Sequence, residues 1–309
     1  MLRHVLVVWR RLTAQAWWQV LKVLAIIGGI GLLSRHLLDE RPLTLWQPAL
    51  LWGLALAALS MLAYALRFRA VMDIAGIALT RVAALRICTL AVFWHFFVPL
   101  SVGSELTRYA RLRAHAPAHS PGEIAAALVL DHALGVLALL GLAGALLLGL
   151  RPFGPVSLWL PLAVWAGLAI TLLLILRGRQ RLPATVVRAL TQLAGKPRAI
   201  ARALGWSVLM HLLLGAAVWT GARGWQIALD YPHAALVQAS AGLFQMLPVN
   251  LGGVGGGEVA GLGLYLALGL ARADALLLVS LLYCYRVLIA LLGGVWEILS
   301  PRDPAQSSS

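Results

Sequence analysis

Residues 248–258 read PVNLGGVGGGE, and they follow an apolar stretch of 14 residues, Ala234–Leu247. The same pattern occurs earlier, where the 14 apolar residues Ile87–Leu100 run into SVGSE at residues 101–105. A helix of this length is too short to cross a bilayer. Proline and glycine leave backbone groups unpaired, which is tolerated at membrane depth only against protein or a wet cavity. Both segments are therefore predicted to be re-entrant hairpins.

Six other apolar stretches are long enough to cross a membrane, since a spanning helix needs about 20 residues. Arginines end three of them, at Arg67, Arg151 and Arg177. The predicted spans are Ala16–Leu33, Pro48–Leu66, Ile124–Leu150, Val156–Leu176, Leu204–Ala222 and Ala275–Leu299.

The composition agrees with a membrane protein and excludes several other classes. Of the 309 residues, 61% are hydrophobic and 12% are charged, about half the charged share of a soluble protein. Two cysteines, Cys88 and Cys284, are too few for a disulfide framework. The net charge of +14 would indicate nucleic-acid binding in a soluble chain, but a membrane protein has another use for basic residues.

The positions of the basic residues predict the orientation. With the N-terminus in the cytoplasm, 18 of the 25 Lys and Arg residues fall inside, Arg67 and Arg108 among them, and five fall outside. The expected fold is all-α and polytopic, in the inner membrane, with both termini cytoplasmic. It forms a single membrane domain over residues 1–309, with a short polar tail at 300–309.

The order of these segments predicts an inverted repeat. Repeat 1, at about 14–151, and repeat 2, at about 155–299, each contain span, span, hairpin and span, but they start on opposite sides of the membrane. Paired interruptions by glycine and proline in such repeats indicate the central site of a transporter. The alternative is a structural membrane protein with two kinked helices.

Charged residues at membrane depth are costly and are the first candidates for a functional site. Arg108 lies three residues after Glu105, so the two share a helix face and either seal the hairpin as a pair or bind substrate. Arg286 needs an anionic partner, which Glu258, Asp131 or a lipid phosphate would provide. Candidate substrate-binding residues are Arg286, Arg108, Glu105, Glu258, Asp131, Gly103, Gly253 and Gly255.

Two further features of the sequence are candidates for proton transfer and for anion binding. Asp131 beside His132 could relay protons, with Glu105 and Glu258, or could be an interfacial group with access to water. The glycine run offers bare N–H groups before a half-helix that is predicted to begin near Glu258, and helix N-termini bind anions. No nucleophile motif, metal cluster or cofactor motif occurs, so we expect no metal, no cofactor and no enzyme activity.

These motifs together resemble a known family, the membrane domain of lysylphosphatidylglycerol synthases, also called flippase-like. The resemblance rests on FVPLSVGSE at 97–105 with Arg108, on DHALG at 131–135, on PVNLGGVGGGE at 248–258, and on Arg286. It covers nearly the whole chain. It implies movement of lipids between leaflets. Stand-alone members are linked to several lipids, polyprenyl phosphates and hopanoid-type lipids among them.

The chain departs from the family pattern at three places. It has Gly103-Ser104-Glu105 for Gly-Gly-Asp, His132 for an arginine after the aspartate, and Gly257 for an arginine before the second glutamate. The chain lacks the soluble synthase domain, so synthesis is not expected.

The sequence therefore predicts a translocase for an anionic phospholipid, an aminoacylated lipid or a polyprenyl-phosphate-type lipid. The alternative is an intramembrane enzyme or accessory subunit that acts on lipid headgroups. Anionic leaflet lipids are the other expected partners, because residues 177–202 could form a basic amphipathic helix on the membrane surface. No nucleic-acid partner is expected, and the sequence predicts no particular oligomeric state.

Overall fold

The structure is a computed structural model that describes Gly28 and residues 47–97, 102–177, 195–245, 250–251 and 254–299. The predicted first span, most of the predicted amphipathic helix and the polar tail lie outside the described residues. Within the described ranges the chain forms nine helices and one short β-hairpin. They are α1 Pro48–Ile74, α2 Arg81–Phe97, α3 Val102–His115, α4 Pro121–Leu150, α5 Val156–Arg177, α6 Pro197–Gly224, α7 Tyr231–Phe244, β1 Asn250–Leu251, β2 Val254–Gly255, α8 Gly256–Ala267 and α9 Arg272–Leu299.

Helices α1, α4, α6 and α9 are long and apolar enough to cross a membrane. They coincide with four of the six predicted spans, and α1 continues to Ile74, eight residues beyond the predicted end at Leu66. Helix α5 forms at the predicted fourth span, and its described apolar part is Val156–Gly167. The chain is thus a multi-pass membrane protein, whereas the full set of six spans remains a prediction.

Large apolar side chains cover the outside of this bundle. Trp52 of α1 is 68% exposed, Trp159 of α5 is 70% exposed, and Leu288, Leu291 and Leu292 of α9 are also exposed. A soluble monomer rarely exposes apolar patches of this extent. Lipid chains are the medium in which such a surface is stable.

The long helices begin with strong local signals. Pro48, Pro121 and Pro197 stand in the first turns of α1, α4 and α6, where the missing N–H costs nothing. Before α4, the Ser120 backbone N–H donates to Glu123 Oε2 at 2.7 Å, and the Glu123 N–H donates to Ser120 Oγ at 3.3 Å. This capping box fixes the start of α4 and thereby its register in the bundle.

Each proline-glycine stretch ends one helix and precedes another, as the sequence predicts. Helix α2 ends at Phe97, before α3, and α7 ends at Phe244, before the β-hairpin and α8. Helix α8 begins at Gly256, close to the predicted start at Glu258. The longest of the four, α2, has 17 residues and a length of about 25 Å, shorter than the hydrocarbon core.

The same turn occurs in both halves of the chain, at positions 150 residues apart. Both α1 and α6 are followed by the sequence Ile-Ala-Leu, at 77–79 and 227–229. The Ile77 N–H donates to the Met72 carbonyl at 2.9 Å, and the Ile227 N–H donates to the Ala222 carbonyl at 2.8 Å. Both isoleucines are buried. The same hydrogen bond at corresponding positions of the two halves agrees with a repeat. The inverted orientation of the two halves remains a prediction.

The next helix starts alike in both halves. Thr80 Oγ1 accepts the Ala83 N–H at 3.1 Å before α2, and Asp230 Oδ1 accepts the His233 N–H at 2.9 Å before α7. Partial burial acts to raise the pKa of the Asp230 carboxyl, but hydrogen bonds from the His233 backbone and ring outweigh it and hold that pKa below its ordinary value. Both helices thus have an N-cap side chain.

Packing of the two halves brings the broken helices to the centre. Helix α1 makes its most extensive contacts with α6, and α9 packs on α2. The apolar cluster around α1 and α4 includes the fully buried Phe68, Leu112 and Ile124. Phe68 of this cluster has its ring centre 6.0 Å from the Arg108 guanidinium, so the cluster borders buried polar residues.

Candidate functional site

A cavity of about 480 Å³, here called the central cavity, lies among α1, α2, α3, α4, α6, α7 and α9. Three arginines from different helices line it: Arg67 of α1, Arg108 of α3 and Arg286 of α9. Its other polar lining includes Glu105, Ser104, His95, His132, His211 and Gln245.

Asp131 is the buried counter-ion of two of these arginines. Its side chain is fully buried, and its Oδ2 accepts from Arg67 Nη2 at 2.6 Å and from Arg108 Nη1 at 2.9 Å. Helix α4 places Asp131 well inside the bundle, about three turns from Pro121. Removing one partner of such a group leaves an uncompensated buried charge, which costs about 3–5 kcal/mol.

Glu105 is the more accessible carboxylate. Its Oε1 accepts from Arg108 Nη2, the pairing predicted from the sequence. Ser104 Oγ also donates to it at 3.4 Å, and His132 Nε2 lies 3.6 Å away. The side chains of Glu105 and His132 are 38% and 43% exposed, in contrast to the fully buried Asp131. This side of the cluster therefore opens into the central cavity.

Arg286 pairs with Glu258, one of the partners considered from the sequence. Arg286 Nη1 donates to Glu258 Oε1 at 2.6 Å, and the guanidinium lies over the Phe96 ring at 5.8 Å. The other oxygen, Glu258 Oε2, accepts the Gly255 N–H at 2.8 Å and so caps α8. The second broken helix is thus joined by an ion pair to α9.

Two of the arginines keep unused hydrogen-bonding capacity. The Nε groups of Arg67 and Arg108 are buried and have no partner among the described residues. Asp131 Oδ1 is likewise buried and has no hydrogen-bond partner among the described residues. A buried donor without a partner costs about 1–3 kcal/mol, and such groups in a cavity call for a ligand or water.

The structure corrects the interpretation of Arg67. The sequence predicts that Arg67 ends the second span, yet α1 continues past it to Ile74, and Arg67 is 6% exposed and pairs with Asp131. Arg108, which the sequence predicts on the cytoplasmic side together with Arg67, is also buried and paired. The signal that was missed is the apolar pattern of Phe68, Val71 and Met72, which continues the helix beyond Leu66.

Two further interpretations change at Asp131 and Gly255. The alternative of an interfacial Asp131 with access to water is wrong, because its side chain is fully buried. Asp131 and His132 do not pair with each other, since His132 faces Glu105. The Gly255 N–H, predicted to be open to an anion, is occupied by Glu258.

Two predicted substrate-binding residues remain, Gly103 and Gly253. Gly103 is buried in the first turn of α3, where its carbonyl accepts from Thr107 Oγ1 at 2.7 Å. Gly253 lies outside the described residues. Among the side chains described, no group of three or more His, Cys, Asp or Glu residues could hold a metal ion.

Together, the long apolar helices, the two broken helix pairs and the ion-paired cavity define a multi-pass membrane protein with a polar site enclosed by the bundle. Its family follows from the sequence match. The model described as the lysylphosphatidylglycerol synthase TM region matches residues 18–294, and the chain belongs to that family. The resemblance inferred from the motifs is thereby confirmed. No curated protein matches the chain significantly.

Proposed function

We propose that this protein is a lipid translocase that moves a lipid with an anionic headgroup between the leaflets of the inner membrane. The observation that carries the proposal is the set of three arginines, Arg67, Arg108 and Arg286, on one cavity of a membrane protein whose family is connected with lipids. Arginine at membrane depth is costly, and guanidinium groups match phosphate oxygens in geometry and charge.

In this proposal the headgroup enters the central cavity while its tails remain in the bilayer. The short helices α2, α3, α7 and α8 form the two re-entrant hairpins, related as an inverted repeat with both termini in the cytoplasm. Repeats of this kind permit one half to rock against the other around a fixed site. The anionic phospholipid, aminoacylated lipid and polyprenyl-phosphate-type lipid all carry the phosphate that the arginines recognise.

The experiment measures lipid movement in vesicles that contain the purified full-length chain. Phosphatidylcholine vesicles with a trace of fluorescent phosphatidylglycerol are treated with an impermeant quencher, which reports how much label reaches the outer leaflet. Wild-type protein should increase the rate of exchange. Arg286→Ala should slow it by about tenfold or more, since it removes one charge-assisted contact of about 1.5–3 kcal/mol.

Arg272→Ala is the matched control, because Arg272 lies exposed at the start of the same helix. It should exchange lipid at the wild-type rate. Wild-type protein that fails to move any member of a panel of anionic lipids contradicts the proposal. A chemically altered lipid recovered from the vesicles would instead favour the intramembrane enzyme.

A further inference from the structure

Glu105 lies between two possible partners. Its Oε1 accepts from Arg108 Nη2, and the same oxygen lies 3.6 Å from His132 Nε2. Helix α3 carries Glu105 and Arg108, while α4 carries His132. The Glu105 carboxylate is thus within reach of both the arginine and the histidine.

The charges on this side of the cavity are balanced before any ligand binds. Two arginines, Arg67 and Arg108, face two carboxylates, Asp131 and Glu105. Arg108 Nη1 pairs with Asp131 and Nη2 pairs with Glu105, so an anion that takes over either of these Nη contacts replaces one of the two carboxylates. Asp131 is fully buried and held by both arginines, whereas Glu105 is 38% exposed and paired with one. Glu105 is therefore the group that an anion displaces.

The tautomer of His132 determines what the displaced carboxylate meets. His132 Nδ1 lies 3.2 Å from the Leu128 carbonyl, which only accepts hydrogen bonds, so Nδ1 carries a hydrogen. In the neutral ring Nε2 is then an acceptor and donates no hydrogen bond to Glu105. With a second proton on Nε2, the ring becomes a cation and a donor toward Glu105.

We propose that an anionic headgroup with one negative charge displaces Glu105 from Arg108, and that Glu105 then pairs with His132, which takes up one proton at Nε2. This inference rests on the proposed function and gives its site a coupling to pH. The proton comes from bulk water through the open side of the cavity, and no other bond forms or breaks. The bound state holds one proton more than the free state, so affinity is highest in acid and falls as the pH rises.

Other titratable and charged groups face the same space and are distinguished by the test. Arg67, Tyr64 and Asp131 lie on the buried side, Arg286 with Glu258 lies across the cavity, and His95 and His211 complete its wall. Replacing each histidine in turn therefore separates their protonation from that of His132.

The test measures binding of short-chain phosphatidylglycerol to the full-length protein in neutral detergent by calorimetry, at about pH 6 and about pH 8. A phosphodiester keeps one negative charge over this range, unlike a phosphomonoester with its second pKa near 6. Wild-type affinity should fall with rising pH by up to about tenfold per pH unit, the limit for uptake of one proton on binding. Titrations in two buffers of different ionisation enthalpy should show uptake of about one proton.

The variants identify the groups responsible. His132→Gln should bind weakly at both pH values, and Glu105→Gln should bind tightly at both, because Arg108 is then free in advance. His95→Gln, His211→Gln and the distant His233→Gln should keep the wild-type dependence on pH. A folded Glu105→Gln protein keeps the test valid even if His132→Gln proves unstable.

Two results overturn the inference alone. The first is a protein that exchanges lipid but binds it with an affinity that does not depend on pH. The second is a pH dependence of binding that survives in His132→Gln, or that disappears in His95→Gln or His211→Gln. In both cases the translocase proposal stands. Wild-type protein that neither binds nor moves anionic lipid overturns both proposals.

Discussion

At the scale of single residues, Asp131 holds the polar site together. It is the only described carboxylate paired with both Arg67 and Arg108, and its side chain is fully buried. The apolar cluster beneath it, with Phe68 under the Arg108 guanidinium at 6.0 Å, strengthens these charge interactions by excluding water. The pairing therefore contributes to stability as well as to the placement of both arginines.

Asp131→Ala should destabilise the protein by about 3–5 kcal/mol, because it removes the described counter-ion of the buried Arg67 and one of the two carboxylates that pair with Arg108. Thermal unfolding in detergent, followed by the loss of helical signal, measures the effect. Asp73→Ala is the control, since Asp73 is an exposed carboxylate near the end of α1. Equal stability of the two variants would show that the buried pair does not support the fold.

Sequence reasoning identifies most of these residues but not their partners. Glu105 and Arg108 are three residues apart, so their pairing follows from helix geometry. Arg67 and Asp131 are 64 residues apart and meet only through the packing of α1 against α4. Arg286 had Glu258 and Asp131 as equal candidates, and only the three-dimensional arrangement decides for Glu258.

At the scale of elements, the starts of the short helices stabilise the broken pairs. Asp230 caps α7, and its depressed pKa means that its contribution to stability is present above the pKa of the unfolded chain. That contribution is lost as the pH falls through the lower pKa of the folded protein. Asp230→Ala should cost about 0.5–2 kcal/mol near neutral pH in a thermal unfolding experiment.

Asp230→Asn is the matched variant, because asparagine caps helices as well as aspartate does. It should keep most of the stability and lose the dependence on acid pH. A cost for Asp230→Asn as large as that for Asp230→Ala would assign the effect to the charge and its contact with His233 at 2.6 Å, not to the cap.

Helix α9 approaches α2 closely at Gly293. A Cβ atom there would lie 2.4 Å from the Thr89 carbonyl oxygen and 2.7 Å from its carbon, which is backbone that cannot give way. Gly293→Ala should therefore push α9 from α2 and destabilise the protein by about 1–3 kcal/mol in thermal unfolding. Gly205→Ala on α6 meets nothing within 4 Å and should be neutral or slightly stabilising. Equal stability of the two variants would contradict the close packing.

The helix breaks are the elements that the sequence predicts best. Proline and glycine act locally, so the ends of α2 and α7 and the start of α8 follow from the residues themselves. The end of α1 is predicted poorly, because Arg67 and Arg69 resemble the charged boundary of a membrane span. Tertiary partners override that signal: Asp131 neutralises Arg67, and the Leu79 carbonyl accepts from Arg69 Nε at 2.8 Å.

At the scale of the whole molecule, the two halves share a plan but differ in their central charges. The first half encloses Glu105, Arg108, Asp131 and His132 in one connected cluster, while the second supplies the simpler pair Glu258–Arg286. Both sets meet at the central cavity, which Arg286 and Arg108 line. In the proposed translocase, a single headgroup would contact Arg108 of the first half and Arg286 of the second while one half rocks against the other.

At this scale, the basic residues behind the net charge of +14 fall into two groups, those at the central cavity and those elsewhere in the chain. Membrane topology is the predicted reason for most of the basic residues, but Arg67 and Arg108 are buried and Arg286 is part-buried at the central cavity. In the proposed translocase, carboxylates neutralise these arginines in the absence of ligand. The proposed function thus requires that a lipid phosphate binds inside the central cavity and not only at the lipid-facing surface of the helices.

Cryo-electron microscopy of the full-length protein in nanodiscs rich in phosphatidylglycerol tests this claim most directly. The account predicts headgroup density inside the central cavity, with the phosphate within hydrogen-bonding distance of Arg108 and Arg286, and with tails leading into the bilayer. A well-resolved cavity without headgroup density, with lipid confined to the outer surface of the helices, would contradict it.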